Sequence, residues 1–87
     1  MKPILMFKLE ACPYCKEALQ WMEQVKKTKK EYEQLEITII DEKLQPDVAN
    51  DYDYYYVPTY YVDDIKVHEG VATKEIITKV FDSALSD

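Results

Sequence analysis

The chain has two cysteines, three residues apart, in the stretch Ala11-Cys12-Pro13-Tyr14-Cys15-Lys16. On the first turn of a helix that spacing brings the two Cβ atoms to roughly 5 to 6 Å, and a modest rotation then gives a disulfide of ordinary geometry. The chemistry to expect is a reversible dithiol. Pro13 suits the first helical position, where its missing N–H would be unpaired anyway. Cys12 then becomes the cap residue, facing unsatisfied amide donors and the positive end of the helix dipole. A thiolate is favoured at Cys12, whereas Cys15, one turn in, is expected to face the packed side and be less accessible. Cys12 is the expected attacking thiol and Cys15 the resolving one.

The benefit of a lowered thiol pKa can be weighed. Moving a thiol from ~8.5 to ~6 raises its thiolate fraction at pH 7 roughly thirtyfold, while a Brønsted slope of ~0.45 removes about tenfold in intrinsic nucleophilicity. The larger gains are a better leaving sulfur and a more stable reduced form. Lys8 and Lys16 are the pKa-tuning candidates, since a nearby cation favours the thiolate, and Glu10 opposes them.

The elements that must position this pair follow from hydrophobic patterning. Residues Pro3 to Leu9 hold four consecutive apolar side chains, which suits a central strand buried on both faces and delivers the chain to Cys12. From Pro13 to about Tyr32, Cys15, Ala18, Leu19, Met22 and Val25 form a helical stripe with Lys16, Glu17, Glu23 and Lys27 outside it. Trp21 falls off that stripe, leaving open whether it packs under the preceding loop or forms a partly exposed contact. The lysines from Lys26 to Lys30 read as a solvated last turn that complements the helix dipole. Leu35, Ile37 and Ile39 alternate with Glu36 and Thr38 ahead of Ile40-Asp41, giving a second strand. A strand, a helix of nearly twenty residues and a strand make a βαβ unit with parallel pairing.

Gln45-Pro46-Asp47 starts a short helix carrying Leu44, Val48, Ala49 and Tyr52 along one side. Tyr60 to Val62 and Ile65 to His68 flank Asp63-Asp64, a two-residue hairpin turn. Thr73 caps a last helix whose buried side is Ile76, Ile77, Val80, Phe81, Ala84 and Leu85. His68, the sole histidine, lies on an outer strand and reads as a surface residue. The whole is an α/β chain with a four-stranded mixed sheet, βαβ then ββα, and helices on both faces.

The 87 residues make one domain, 1–87, with one core and little spare stability. Seventeen acidic residues stand against eleven lysines and no arginine, for a net charge of −6, which disfavours nucleic acid and anionic membranes as partners. No apolar run is long enough for a signal-peptide core or a membrane span. A cytoplasmic monomer is the expectation, and there a lone CxxC reads as redox chemistry, not a structural staple.

Cys-Pro-Tyr-Cys after a short apolar strand, together with the downstream Val57-Pro58, resembles the dithiol glutaredoxins of the thioredoxin-like superfamily. The resemblance spans nearly the whole chain. It implies a thioredoxin-like fold and disulfide reduction in redox homeostasis or electron donation to a reductase. It also implies a cis Val57-Pro58 bond lying against the thiols, with the Val57 backbone pairing with substrate. Pro13, Tyr14, Tyr56, Val57 and Pro58 are accordingly the substrate-binding candidates. Six of the eight tyrosines lie between Asp51 and Tyr61. Tyr14 and Tyr56 read as an apolar collar with hydroxyl tips around the thiols, while Tyr52, Tyr60 and Tyr61 read as structural.

Two departures bear on the reductant. Glutaredoxins place a basic residue three before the nucleophile, where this chain has Leu9, with Lys8 one further back. They carry a paired glycine and then an acidic residue before the last helix, where this chain has Gly70 alone within Val67 to Thr73. The Val-Pro-Thr triplet and the single glycine look more like thioredoxin. No tightly bound cofactor is expected. The reductant is either glutathione or a flavoenzyme of the thioredoxin-reductase type, and the substrates are protein or small-molecule disulfides. Two other classes stay open: a zinc or cluster site, for which two thiolates supply half the donors, and a module whose disulfide state switches contacts of its tyrosine-rich surface.

Overall fold

The computed structural model describes residues 1–86. Five elements build the first half and three the second. They are β1 (Ile4–Lys8), α1 (Pro13–Lys26), a 3₁₀ turn (Lys30–Gln34), β2 (Ile37–Asp41) and α2 (Pro46–Ala49), then β3 (Thr59–Val62), β4 (Ile65–Glu69) and α3 (Lys74–Leu85). The sheet order is β2-β1-β3-β4. β1 pairs in parallel with β2 and antiparallel with β3, and β3 pairs antiparallel with β4. This is the expected mixed four-stranded sheet.

The four-residue apolar run of β1 is explained by its central place, because it feeds two cores. Ile4 and Met6 pack with Tyr60 and Val62 beneath Ala18, Met22 and Val25 of α1 and Ile77, Val80, Phe81 and Ala84 of α3. Phe7, from the opposite face, joins Ile40, Ala49 and Tyr61, with Tyr52 and Tyr54 against it. Helices thus cover both faces, but unequally. The second face has only the single turn of α2, and aromatic rings take over the rest: the Phe7 centroid lies 5.0 Å from Tyr52 and 4.9 Å from Tyr54. Among the described residues no helix is long and apolar enough to cross a membrane.

Two expectations need correction. The first helix does not run to Tyr32. It ends at Lys26, where the Lys27 amide bonds Gln24 and the Thr28 amide bonds Val25, and Lys29 is extended. After the break the 3₁₀ turn carries Tyr32 into the core, fully buried against Phe81. The second strand begins at Ile37, and its alternation places Ile39, 41 % exposed, at the sheet edge while Ile40 is buried. Ile39 shares the helical face with Ile37, but it lies where α1 and α3 no longer cover an edge strand.

Trp21 is partly buried against the main core, and its indole N–H has no acceptor. The Asp63-Asp64 turn is as expected: both residues have positive φ, 51° and 64°, the conformation a two-residue hairpin of this hand requires.

Candidate active site

The two cysteines meet at the junction of β1 and α1. Cys12 is the N-cap of α1 in extended conformation, with Pro13 at the first helical position. Its sulfur accepts a hydrogen bond from the Cys15 amide at 3.1 Å, so the thiol does the work of a capping oxygen and satisfies one of the helix's orphan donors. Both cysteines are free thiols; Cys12 is partly exposed and Cys15 is buried.

Burial pushes the Cys15 thiol up to about 12, and the hydrogen bond it shares with Cys12 adds to the rise. A backbone bond with Leu9 and the charge of Lys8 oppose this, Lys8 least of all. Lys8 is in turn held by Glu10 at 3.0 Å and Asp41 at 3.6 Å. Lys16 is exposed on the first turn of α1.

Across from the thiols, the Val57–Pro58 bond is cis, as the resemblance implies. The Val57 carbonyl lies 3.9 Å from the Cys12 sulfur and accepts its S–H. Pro58 is fully buried. Tyr56, 70 % exposed, is next to Val57, and Tyr14, 56 % exposed, lies inside the dithiol motif. A hollow of about 330 Å³ beside Cys12 is lined by Leu9, Glu10, Ala11, Cys12 and Lys43. The structure therefore brings together Cys12, Cys15, Val57 and Pro58, with Tyr14 and Tyr56 on the flanks. Tyr60 and Tyr61 are core residues, and the His68 Nε2 lies 2.9 Å from the Val71 carbonyl at the surface. Among the described residues no three His, Cys, Asp or Glu side chains gather into a metal site.

The sequence did not show the contacts that three residues near the site make. The Thr59 hydroxyl donates to the Tyr56 carbonyl. Gly70, at φ +100° with open space where a Cβ would project, is required by its backbone and not by crowding, and its amide bonds the Pro58 carbonyl at 2.9 Å. The third is Glu69, whose carboxylate accepts from the amides of Tyr55 at 2.5 Å and Tyr56 at 2.9 Å and pairs with Lys66 at 2.8 Å. Lys66 and Glu69 are three apart, which in a regular strand puts side chains on opposite faces. Here Tyr61 pairs with Lys66 and Tyr60 with His68, leaving Val67 as a bulge that turns the two to the same side. Only the bulge makes the pair, and no sequence pattern announced it.

A strand delivering a capped dithiol to a helix, opposite a cis-proline at the start of an antiparallel strand, is the arrangement of thioredoxin-like proteins. The chain belongs to the thioredoxin domain family, which it matches over residues 4–82. It is similar to the solution structure of an uncharacterized thioredoxin-like protein from Clostridium perfringens, with TM-score 0.73 and 28% identity, covering 97% of this chain and 71% of that one. A second structure, described as that of a malarial protein, shares the fold with TM-score 0.75 at 12% identity over 99% of each chain. No curated protein matches the chain.

Proposed function

We propose that the protein is a thiol-disulfide oxidoreductase that reduces protein or small-molecule disulfides through Cys12 and Cys15. The observation that supports this best is the pairing of a partly exposed Cys12 sulfur, held at a helix cap and faced by the Val57 carbonyl, with a buried Cys15 behind it. Cys12, as thiolate, attacks one sulfur of a substrate disulfide; a Cys12–substrate bond forms, the substrate S–S bond breaks, and the departing thiolate takes a proton from solvent. Cys15 then loses its proton to solvent and attacks the Cys12 sulfur. The second substrate sulfur leaves as a thiolate and takes a proton from solvent, and the protein holds a Cys12–Cys15 disulfide, two electrons poorer. An external reductant returns those electrons.

Cys12→Ser is expected to abolish disulfide reduction, and Cys15→Ser to trap a mixed disulfide visible as a mass adduct that dithiothreitol removes. Retained dithiol turnover in the Cys12 variant would sink the assignment.

For the reductant, a flavoenzyme of the thioredoxin-reductase type is the better reading than glutathione. In glutaredoxins a free cation just before the dithiol meets a glutathione carboxylate; here Leu9 takes that place and Lys8 is already occupied by Glu10 and Asp41. NADPH-coupled assays with thioredoxin reductase, and separately with glutathione and glutathione reductase, decide the matter. Turnover with glutathione would make the protein a glutaredoxin in function as well as motif.

A further inference from the structure

The loop that presents Val57 to Cys12 has no regular secondary structure between Asp51 and Pro58, and Tyr55 and Tyr56 are 86 % and 70 % exposed. Val57 packs against the second core and Pro58 is buried, but side-chain packing does not fix Tyr55 and Tyr56 ahead of them. Polar contacts from β4 do. The Lys66 ammonium reaches the Asp53 carbonyl at 3.2 Å and the Glu69 carboxylate at 2.8 Å. One oxygen of Glu69 takes the two consecutive amides of Tyr55 and Tyr56. The Tyr61 hydroxyl holds the Asp53 carbonyl at 2.6 Å from the adjacent strand.

We infer that Glu69 is a positioning residue of the substrate site: braced by Lys66 across the Val67 bulge, it clamps the Tyr55 and Tyr56 amides and so fixes the Val57 backbone opposite Cys12. The inference rests on the disulfide-exchange reading. Two adjacent amides converging on one carboxylate oxygen is an arrangement that backbone adopts around anions, and its charge-assisted bonds are stronger than neutral ones. Lys66, then the two amides, hold the Glu69 carboxyl down at about 2, so the clamp is ionised across the neutral range. Without the carboxylate both amides turn to water, and the backbone leading into Val57 keeps the Thr59 bond to the Tyr56 carbonyl but loses its hold on the Tyr55 and Tyr56 amides. A polypeptide disulfide, which must lie along that backbone, suffers. A small reagent that needs only the Cys12 sulfur does not.

The test uses the full reduced chain and the variants Glu69→Ala and Glu69→Gln. Loss of bonds to a charged acceptor is expected to slow reaction with insulin disulfides by about tenfold or more in Glu69→Ala. Cys12 alkylation by iodoacetamide stays at the wild-type rate, and amide hydrogen exchange quickens at Tyr55 and Tyr56 but not at Phe7 or Tyr61. Glu69→Gln, which keeps one acceptor oxygen, recovers part of the insulin rate. Equal losses toward insulin and iodoacetamide would mean a general structural role and overturn the inference, as would an unchanged insulin rate in Glu69→Ala. A wild-type protein inert toward insulin and small disulfides alike would overturn the oxidoreductase reading instead. Amide exchange at Tyr55 and Tyr56 would then still report whether the clamp exists.

Discussion

Cys12 and Cys15 are the same residue one helical turn apart, and their environments separate them. The sulfur of Cys12 caps a helix at the surface, while Cys15 has 1% of its surface exposed. A rise in pKa from 9.0 to about 12 leaves Cys15 with roughly a thousandfold less thiolate near neutrality than an ordinary thiol. Alkylation follows the thiolate. Limited iodoacetamide treatment at pH 7 is therefore expected to label Cys12 and spare Cys15, and fragmentation of the tryptic Leu9–Lys16 peptide reads the site directly. Equal labelling would show that Cys15 is not shielded. The asymmetry was legible in the sequence, because Pro13 and the apolar stripe fix which way each cysteine faces. Glu69 was not, since a residue three along a strand looks unrelated to Lys66 until a bulge turns it.

At the scale of elements, local signals succeeded where one interaction dominates. Thr73 caps α3, taking the Ile76 amide at 3.2 Å, and the Asp63-Asp64 turn has the two left-handed residues that its length demands. Aspartate tolerates that region less well than asparagine or glycine, and here it adds charge to an already acidic chain. Asp63→Asn is expected to raise the urea midpoint with unchanged slope, a gain of about 0.5 kcal/mol. The end of α1 failed because tertiary packing decides it. Its lysine-rich sequence supports helix well beyond Lys26, yet burying Tyr32 against Phe81, with the hydroxyl 2.5 Å from Asp82, outweighs the extra helical bonds. Truncation of that ring tests this. Tyr32→Ala is expected to cost about 3 to 5 kcal/mol, as for other buried aromatics, and Tyr32→Phe about 1 kcal/mol for the lost bond, both measured by chemical denaturation. Equal, small effects would mean that the 3₁₀ turn is not held by this side chain.

Across the whole molecule, the ionisable groups with displaced pKa values divide by sign and set a stability plateau. On the acid side Glu69 titrates at about 2 instead of 4.5, held down first by Lys66, and Asp41 is also lowered: the amides of Lys43 and Leu44 and the charge of Lys8 outweigh the upward push of burial. A carboxyl with a depressed folded value contributes stability that is present above its unfolded value and lost as pH falls through the folded one. On the alkaline side burial raises Cys15 and Tyr32 to about 12 and lifts Tyr54 and Tyr60 as well. These acids are bound more tightly as protons when folded, so their contribution is full below about 9 to 10 and fades as pH climbs through their folded values. The melting temperature of the reduced protein is expected to be level from about pH 5 to 9 and to fall on both sides. Two comparisons assign the flanks. Glu69→Gln should be less stable on the plateau and approach wild type as pH drops below 4.5, the ordinary value of the lost carboxyl. Oxidation removes the Cys15 proton from the balance, so the reduced form should lose stability relative to the disulfide form between pH 9 and 12. A reduced-minus-oxidised difference that stays constant over that range would mean Cys15 titrates like an exposed thiol, and the burial that separates the two cysteines would no longer explain their roles.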